Sequence, residues 1–187
     1  MAVNLVQEFV NNEFLLVLLE EREYLGKLKE IIRLVEAEKT KICYVCLSKP
    51  CANVVRDMRS KGIGTEDFLF IDTLTSHYAA PQPSRNRIYL SSPTDLAAIG
   101  RAISKAIESD NCNVILFDTI STLLIYQETS SIVRFTHALL SDKNHENVKK
   151  LFIILKGDGV PVDDVNRLTK DLEMFADRKL DLTGAGG

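Results

Sequence analysis

The residues that could do chemistry are few. Val114-Ile115-Leu116-Phe117 is an apolar run closed by one carboxylate, Asp118, and followed by Thr119 and Ser121. A run this apolar suits a strand buried on both faces of a parallel sheet. Its acid then falls at the strand's C-terminal end, where open α/β sheets place their ligand crevice. An acid there can help hold Mg²⁺ beside nucleotide phosphates; taken alone, the pattern equally describes a core strand followed by a solvated Asp. A second acid, Asp72, ends the similar run Phe68-Leu69-Phe70-Ile71. The cysteines are Cys43, Cys46, Cys51 and Cys112. Cys43 and Cys46 have the C-x-x-C spacing of zinc and redox sites. They lie in a strand-like segment, however, where residues three apart face opposite sides. No second ligand pair exists, and His77, His137 and His145 are scattered, so the four are read as buried or half-buried free thiols.

The elements that must position these groups alternate along the whole chain. Phe14–Leu19, Ile42–Leu47, Asp67–Asp72, Val114–Asp118 and Leu151–Leu155 read as strands, with Arg87–Leu90 and Arg178–Leu182 as shorter additions. Val3–Asn12 forms a short amphipathic segment, and Glu20–Leu25 a polar connection. Helical spacing begins at Gly26, with Leu28, Ile31, Ile32, Leu34 and Val35 on one side. Pro50 suits the first turn of the next helix and Gly62 its end. Ser92 or Thr94 can cap a helix running to Ile107, with Asp95 at its positive end. Ser130–Leu140 and Asp163–Phe175 are further helices. Thr73–Asn86, with Pro81 and Pro83, reads as a mobile loop, and Thr183–Gly187 as a flexible tail. Strand–helix alternation of this kind predicts a single α/β domain over 1–187, a doubly wound, mostly parallel sheet with helices on both faces.

The chain has 187 residues, 45% hydrophobic and 26% charged, with a formal net charge of −3. Nothing in that balance draws it to nucleic acid or to an anionic surface. Its apolar runs are too short to span a bilayer. The N-terminus lacks a signal-type core, which places the protein in the cytoplasm.

From Phe14 to Leu182 the chain resembles the RecA-like P-loop ATPases, and within them the KaiC-like archaeal branch. Phe117-Asp118-Thr119-Ile120-Ser121-Thr122-Leu123-Leu124 is similar to that family's Walker B strand and the serine-rich turn after it. Phe70-Ile71-Asp72, the helix from Thr94 to Ile107, and Ala176-Asp177 before Leu180–Leu182 resemble further family segments. The resemblance implies a RecA-like three-layer sandwich, with a nucleotide site at Gly26, Lys27 and Asp118.

The departures from the family pattern carry equal weight. A Walker A loop reads G-x-x-x-x-G-K-[ST]; the matching window is Glu21-Arg22-Glu23-Tyr24-Leu25-Gly26-Lys27-Leu28. Glu21 replaces the first Gly, and Leu28 the hydroxyl that would bind Mg²⁺. Such a cradle needs small residues that let successive N–H groups turn toward phosphate. A carboxylate about 5 Å from a phosphate charge costs on the order of 3 kcal/mol at an effective dielectric near 20. After the second strand the family carries an acid that activates water, and this chain has Ser48-Lys49-Pro50.

The expectation is a catalytically inactive pseudo-ATPase, without cofactor, that acts as a regulatory or interaction module for a protein partner or as a homo-oligomer. The alternative is an ATP- and Mg-binding enzyme with a non-standard loop. The Tyr78…Arg85-Asn86-Arg87 stretch is the sole feature suggesting nucleic acid, and the acidic balance opposes it. Lys27 is expected to turn toward Asp118, Glu20 or Glu21.

Overall fold

A computed structural model describes residues 5–37, 40–157 and 159–184. Val3 of the expected N-terminal segment and 185–187 of the expected flexible tail lie outside them. In chain order the elements are α1 (Leu5–Asn11), β1 (Phe14–Glu20), α2 (Tyr24–Ala37), β2 (Ile42–Cys46), α3 (Cys51–Ser60), β3 (Phe68–Asp72), α4 (Thr75–Tyr78) and β4 (Arg87–Tyr89). Then come α5 (Leu96–Asp110), β5 (Val114–Asp118), a 3₁₀ segment (Ile120–Ile125), α6 (Thr129–Ser141), a second 3₁₀ turn (Lys143–His145), β6 (Lys149–Lys156), α7 (Val162–Glu173) and β7 (Arg178–Asp181).

The strands form one sheet in the order β4-β3-β2-β5-β6-β1-β7, and every neighbouring pair is parallel. Both faces are covered, which is why the central strands read as unbroken apolar runs. Alternate residues of each strand feed two separate cores. Leu15, Val17 and Leu19 pack with α1, α2 and α3 through Phe9, Ile32, Val35 and Met58. Phe14, Leu16 and Leu18 pack with α5, α6 and α7 through Ile103, Ile132 and Leu168. Cys43 and Cys46 fall into different cores, as their strand spacing requires.

Four local expectations need correction. Helix α2 begins at Tyr24 rather than Gly26, because the Tyr24 ring is buried (7% exposed) and belongs to the core, not to a polar connection. The N-cap of α5 is Asp95, whose side chain accepts the Ala98 N–H at 2.8 Å; Ser92 instead accepts Thr94 N–H at 3.1 Å. Pro50 stands just before the first residue of α3 rather than within its first turn. The Thr73–Asn86 stretch contains the helical turn α4, and its first residues, Thr73 and Leu74, are buried. Gly62 does follow α3, at φ 72°, a conformation that favours glycine.

Candidate functional site

Asp118 ends β5 and sits on the face shared with α2 and α3. It is 2% exposed, and its carboxylate is fully engaged. The Tyr24 hydroxyl, from the first turn of α2, donates to Oδ1, and the Tyr44 hydroxyl, from the middle of β2, donates to Oδ2. Burial pushes the Asp118 carboxyl above its ordinary value, while the two tyrosine bonds and the nearby Lys49 charge pull it back. Burial, and then the Asp118 charge, hold both phenols well above the usual tyrosine range. The three groups therefore form a closed arrangement in which each hydroxyl stays protonated and faces the acid.

Around them Leu28, Ile32, Val54, Met58 and Ile63 form an apolar wall. The remaining cavity, about 20 Å³, has room for about one water molecule. Lys49 lies at its mouth, 6.0 Å from the Tyr24 ring centroid and 3.6 Å from Asp57.

The segment from Glu21 to Leu28 makes a tight turn and runs directly into α2. Glu23 N–H donates to Glu20 O at 3.0 Å, Tyr24 N–H to Glu21 O at 3.3 Å and Lys27 N–H to Glu23 O at 3.0 Å. Those amides are spent within the chain. Glu23 Oε2 is buried with no hydrogen-bond partner among the described residues. Gly26 lies in α2, where an added Cβ would meet nothing within 4 Å. Gly26→Ala is accordingly expected to raise stability by about 0.5 kcal/mol, read from chemical denaturation, since the backbone there is ordinary helix. A loss of stability would point to a strained glycine.

The structure does not bring Lys27 to Asp118. Its ammonium is 3.1 Å from Glu30, one helical turn on, rather than beside Asp118, Glu20 or Glu21. Residues three apart on a helix are neighbours on its surface, which puts Glu30 within reach of Lys27. Leu28 is 7% exposed and part of the core. Of the three sequence-selected residues, Asp118 alone enters the buried constellation.

Asp72 is also consumed structurally. Its carboxylate accepts Leu74 N–H at 2.9 Å, Thr75 N–H at 2.8 Å, the Thr75 hydroxyl at 2.6 Å and Cys51 N–H at 2.7 Å. It thus caps α4 and ties down the start of α3. In the turn after β5, Ser121 is buried and its Oγ accepts Leu155 N–H at 3.1 Å, pinning the end of β6. Arg87, the first residue of the short strand expected at Arg87–Leu90, lies in β4 with its Nη1 3.4 Å from the Tyr89 hydroxyl. Among the described residues no group of three or more His, Cys, Asp and Glu is arranged to hold a metal ion, and no helix is long and apolar enough to cross a membrane.

No protein-family model matches the chain, and no curated protein matches it in sequence. Among solved structures it is similar to a KaiC-like protein from the hyperthermophilic archaeon Pyrococcus horikoshii. The TM-score is 0.58 at 14% identity, covering 91% of this chain and 71% of that one. At that identity the likeness is one of fold, and the α/β architecture matches a RecA-like KaiC neighbour.

Proposed function

We propose that this chain is a RecA/KaiC-like domain that has given up nucleotide chemistry and acts as a regulatory or protein-interaction module. One observation carries the reading: the acid that would serve Mg²⁺ is bonded through both oxygens to the buried hydroxyls of Tyr24 and Tyr44. The residues present do not fit Mg·ATP. In the Glu21–Leu28 window the Glu23, Tyr24 and Lys27 amides are spent on chain carbonyls, and Glu21 and Glu23 add negative charge. Leu28 offers a core methyl group in place of a hydroxyl. Ser48 and Lys49 provide no carboxylate to activate water after β2.

A partner surface is supported at the C-terminal edge of the sheet. There Ile125 (58% exposed) and Tyr126 (44%) follow β5, and Val162 (68%) follows the adjacent β6. A protein partner or a second copy fits such a surface better than nucleic acid does.

Calorimetric titration of the purified chain with Mg·ATP tests the reading. The expected result is no saturable heat and no phosphate release. A dissociation constant in the low micromolar range, near −8 kcal/mol, would overturn it in favour of an ATP-binding enzyme with an aberrant loop.

A further inference from the structure

Helix α5 covers the face of the sheet opposite the Asp118 pocket, and Ser104 lies half-buried in its middle. A hydroxyl inside a helix commonly bonds back to the carbonyl four residues earlier, as Thr169 does to Val165 at 2.7 Å in α7. Ser104 does otherwise. Its one hydrogen-bond partner among the described residues is Nε2 of His145, at 3.2 Å. The other ring nitrogen fixes the tautomer. Nδ1 lies 3.2 Å from the Leu139 carbonyl oxygen, which can only accept, so Nδ1 carries the proton. In the neutral ring Nε2 then keeps its lone pair, and the Ser104 hydroxyl donates to it. His145 is 1% exposed, and Lys150 pins its backbone by donating to the His145 carbonyl at 2.6 Å. The Asp142 carboxylate stands 3.7 Å from Nε2, too far for a hydrogen bond and near enough to favour a positive ring.

Ser104 and His145 both line an open groove of about 880 Å³ between α5 and α6, a size that admits a small organic molecule. Phe135 gives the groove apolar surface, and Arg101 and Lys105 give it positive charge. Neither of these two cations has a hydrogen bond or ion pair among the described residues. The groove's acids, Glu108 and Asp142, are both bonded to Asn144. We propose that Ser104 and His145 are a nucleophile and its base, and that they hydrolyse a small carboxylic ester bearing negative charge. Ser104 Oγ attacks the ester carbonyl carbon while its proton passes to His145 Nε2. The oxyanion so formed collapses, the bond to the alcohol oxygen breaks, and the imidazolium gives its proton to the departing alcohol. Water then repeats the sequence on the acyl-serine. His145 takes a proton from it, the resulting hydroxide adds to the carbonyl, the bond to Ser104 Oγ breaks and Oγ recovers the proton. One ester and one water become one acid and one alcohol. The uncommitted charge of Arg101 and Lys105 suits both the substrate's anionic group and the developing oxyanion.

The test begins with a fluorophosphonate, whose phosphorus captures an activated serine oxygen with loss of fluoride. The folded full chain, treated at neutral pH and mapped by peptide mass, is expected to carry the adduct on Ser104, formed at least about tenfold faster than on any other hydroxyl. Ser131, a second half-buried serine lining the same groove, is the internal control. No adduct on Ser104, equal labelling of Ser131, or the same Ser104 rate in the urea-unfolded chain would each overturn the proposal. His145→Gln should slow the labelling of Ser104 by about a hundredfold or more; an unchanged rate in the folded variant would overturn the role of the base. If that variant fails to fold, the wild-type mapping decides the matter by itself. Hydrolysis of 4-acetoxybenzoate, an ester with a remote carboxylate, should disappear in Ser104→Ala, and its KM should lie below that of the neutral methyl ester of the same compound. Hydrolysis that survives Ser104→Ala would sink the nucleophile, and an equal KM the anionic substrate. None of these readouts involves nucleotide, so they stand or fall apart from the proposed function.

Discussion

Asp118→Ala should lower folding stability by about 2–5 kcal/mol, measured as a fall in urea midpoint at neutral pH. The variant strands two buried hydroxyls, on Tyr24 (7% exposed) and Tyr44 (0% exposed), each of which loses its acceptor. Each orphaned donor costs about 1–3 kcal/mol. Relief of a buried ionised carboxyl offsets part of that loss. Asp118→Asn separates the two effects. It keeps the volume, its carbonyl accepts from one tyrosine, and its NH₂ donates to the other hydroxyl oxygen. Its loss should be less than half that of the alanine variant. It should also remove a pH dependence. The folded carboxyl is raised above its unfolded value, chiefly by burial, so its contribution is complete below the unfolded value and is lost as pH rises through the folded one. An alanine variant as stable as wild type would mean that the tyrosines do not depend on Asp118, and would return the acid to the pool of available ligands.

The strand-end position of Asp118 was legible because it is local: four apolar residues, then an acid. The alternation of such runs with amphipathic stretches was equally local, and it led to the parallel sheet with helices on both faces. The partners of Asp118 were not legible. Tyr24 and Tyr44 stand 94 and 74 residues away in sequence, and their contacts have no pattern along the chain. Tyr44 reads as one more core residue in Ile42–Leu47. Tyr24, between Glu23 and Leu25, reads as part of a polar turn, which also displaced the expected start of α2. The conspicuous cysteine spacing, Cys43 to Cys46, was legible for the same local reason: a strand sends the two side chains to opposite faces, and they fall in different cores. The caps show the same limit: Ser92, Thr94 and Asp95 all suit a cap by type, and only the path of the chain selects Asp95.

The last expectation concerns alkaline pH, where the closed arrangement around Asp118 should be directly visible. The chain has five tyrosines and no tryptophan, so phenolate absorbance near 295 nm reports tyrosine alone. Tyr24 and Tyr44 are held well above the usual tyrosine range, first by burial and then by the Asp118 charge. In a folded protein both should withhold their absorbance as pH rises past about 10. Their share should appear in a single step coincident with loss of the far-ultraviolet circular dichroism signal. A raised folded value means that the associated stability is present below about pH 10 and is lost as pH climbs through the folded values, because the unfolded phenols ionise first. While both unfolded phenols are ionised and both folded ones are not, the slope approaches about 1.4 kcal/mol per pH unit for each. Tyr24→Phe with Tyr44→Phe should abolish the withheld step and flatten the alkaline limb, at the cost of leaving Asp118 without its donors. If all five tyrosines of the wild type instead ionise reversibly while the dichroism stays native, then Tyr24 and Tyr44 are open to hydroxide. The Asp118 pocket would then be an accessible site rather than a sealed one.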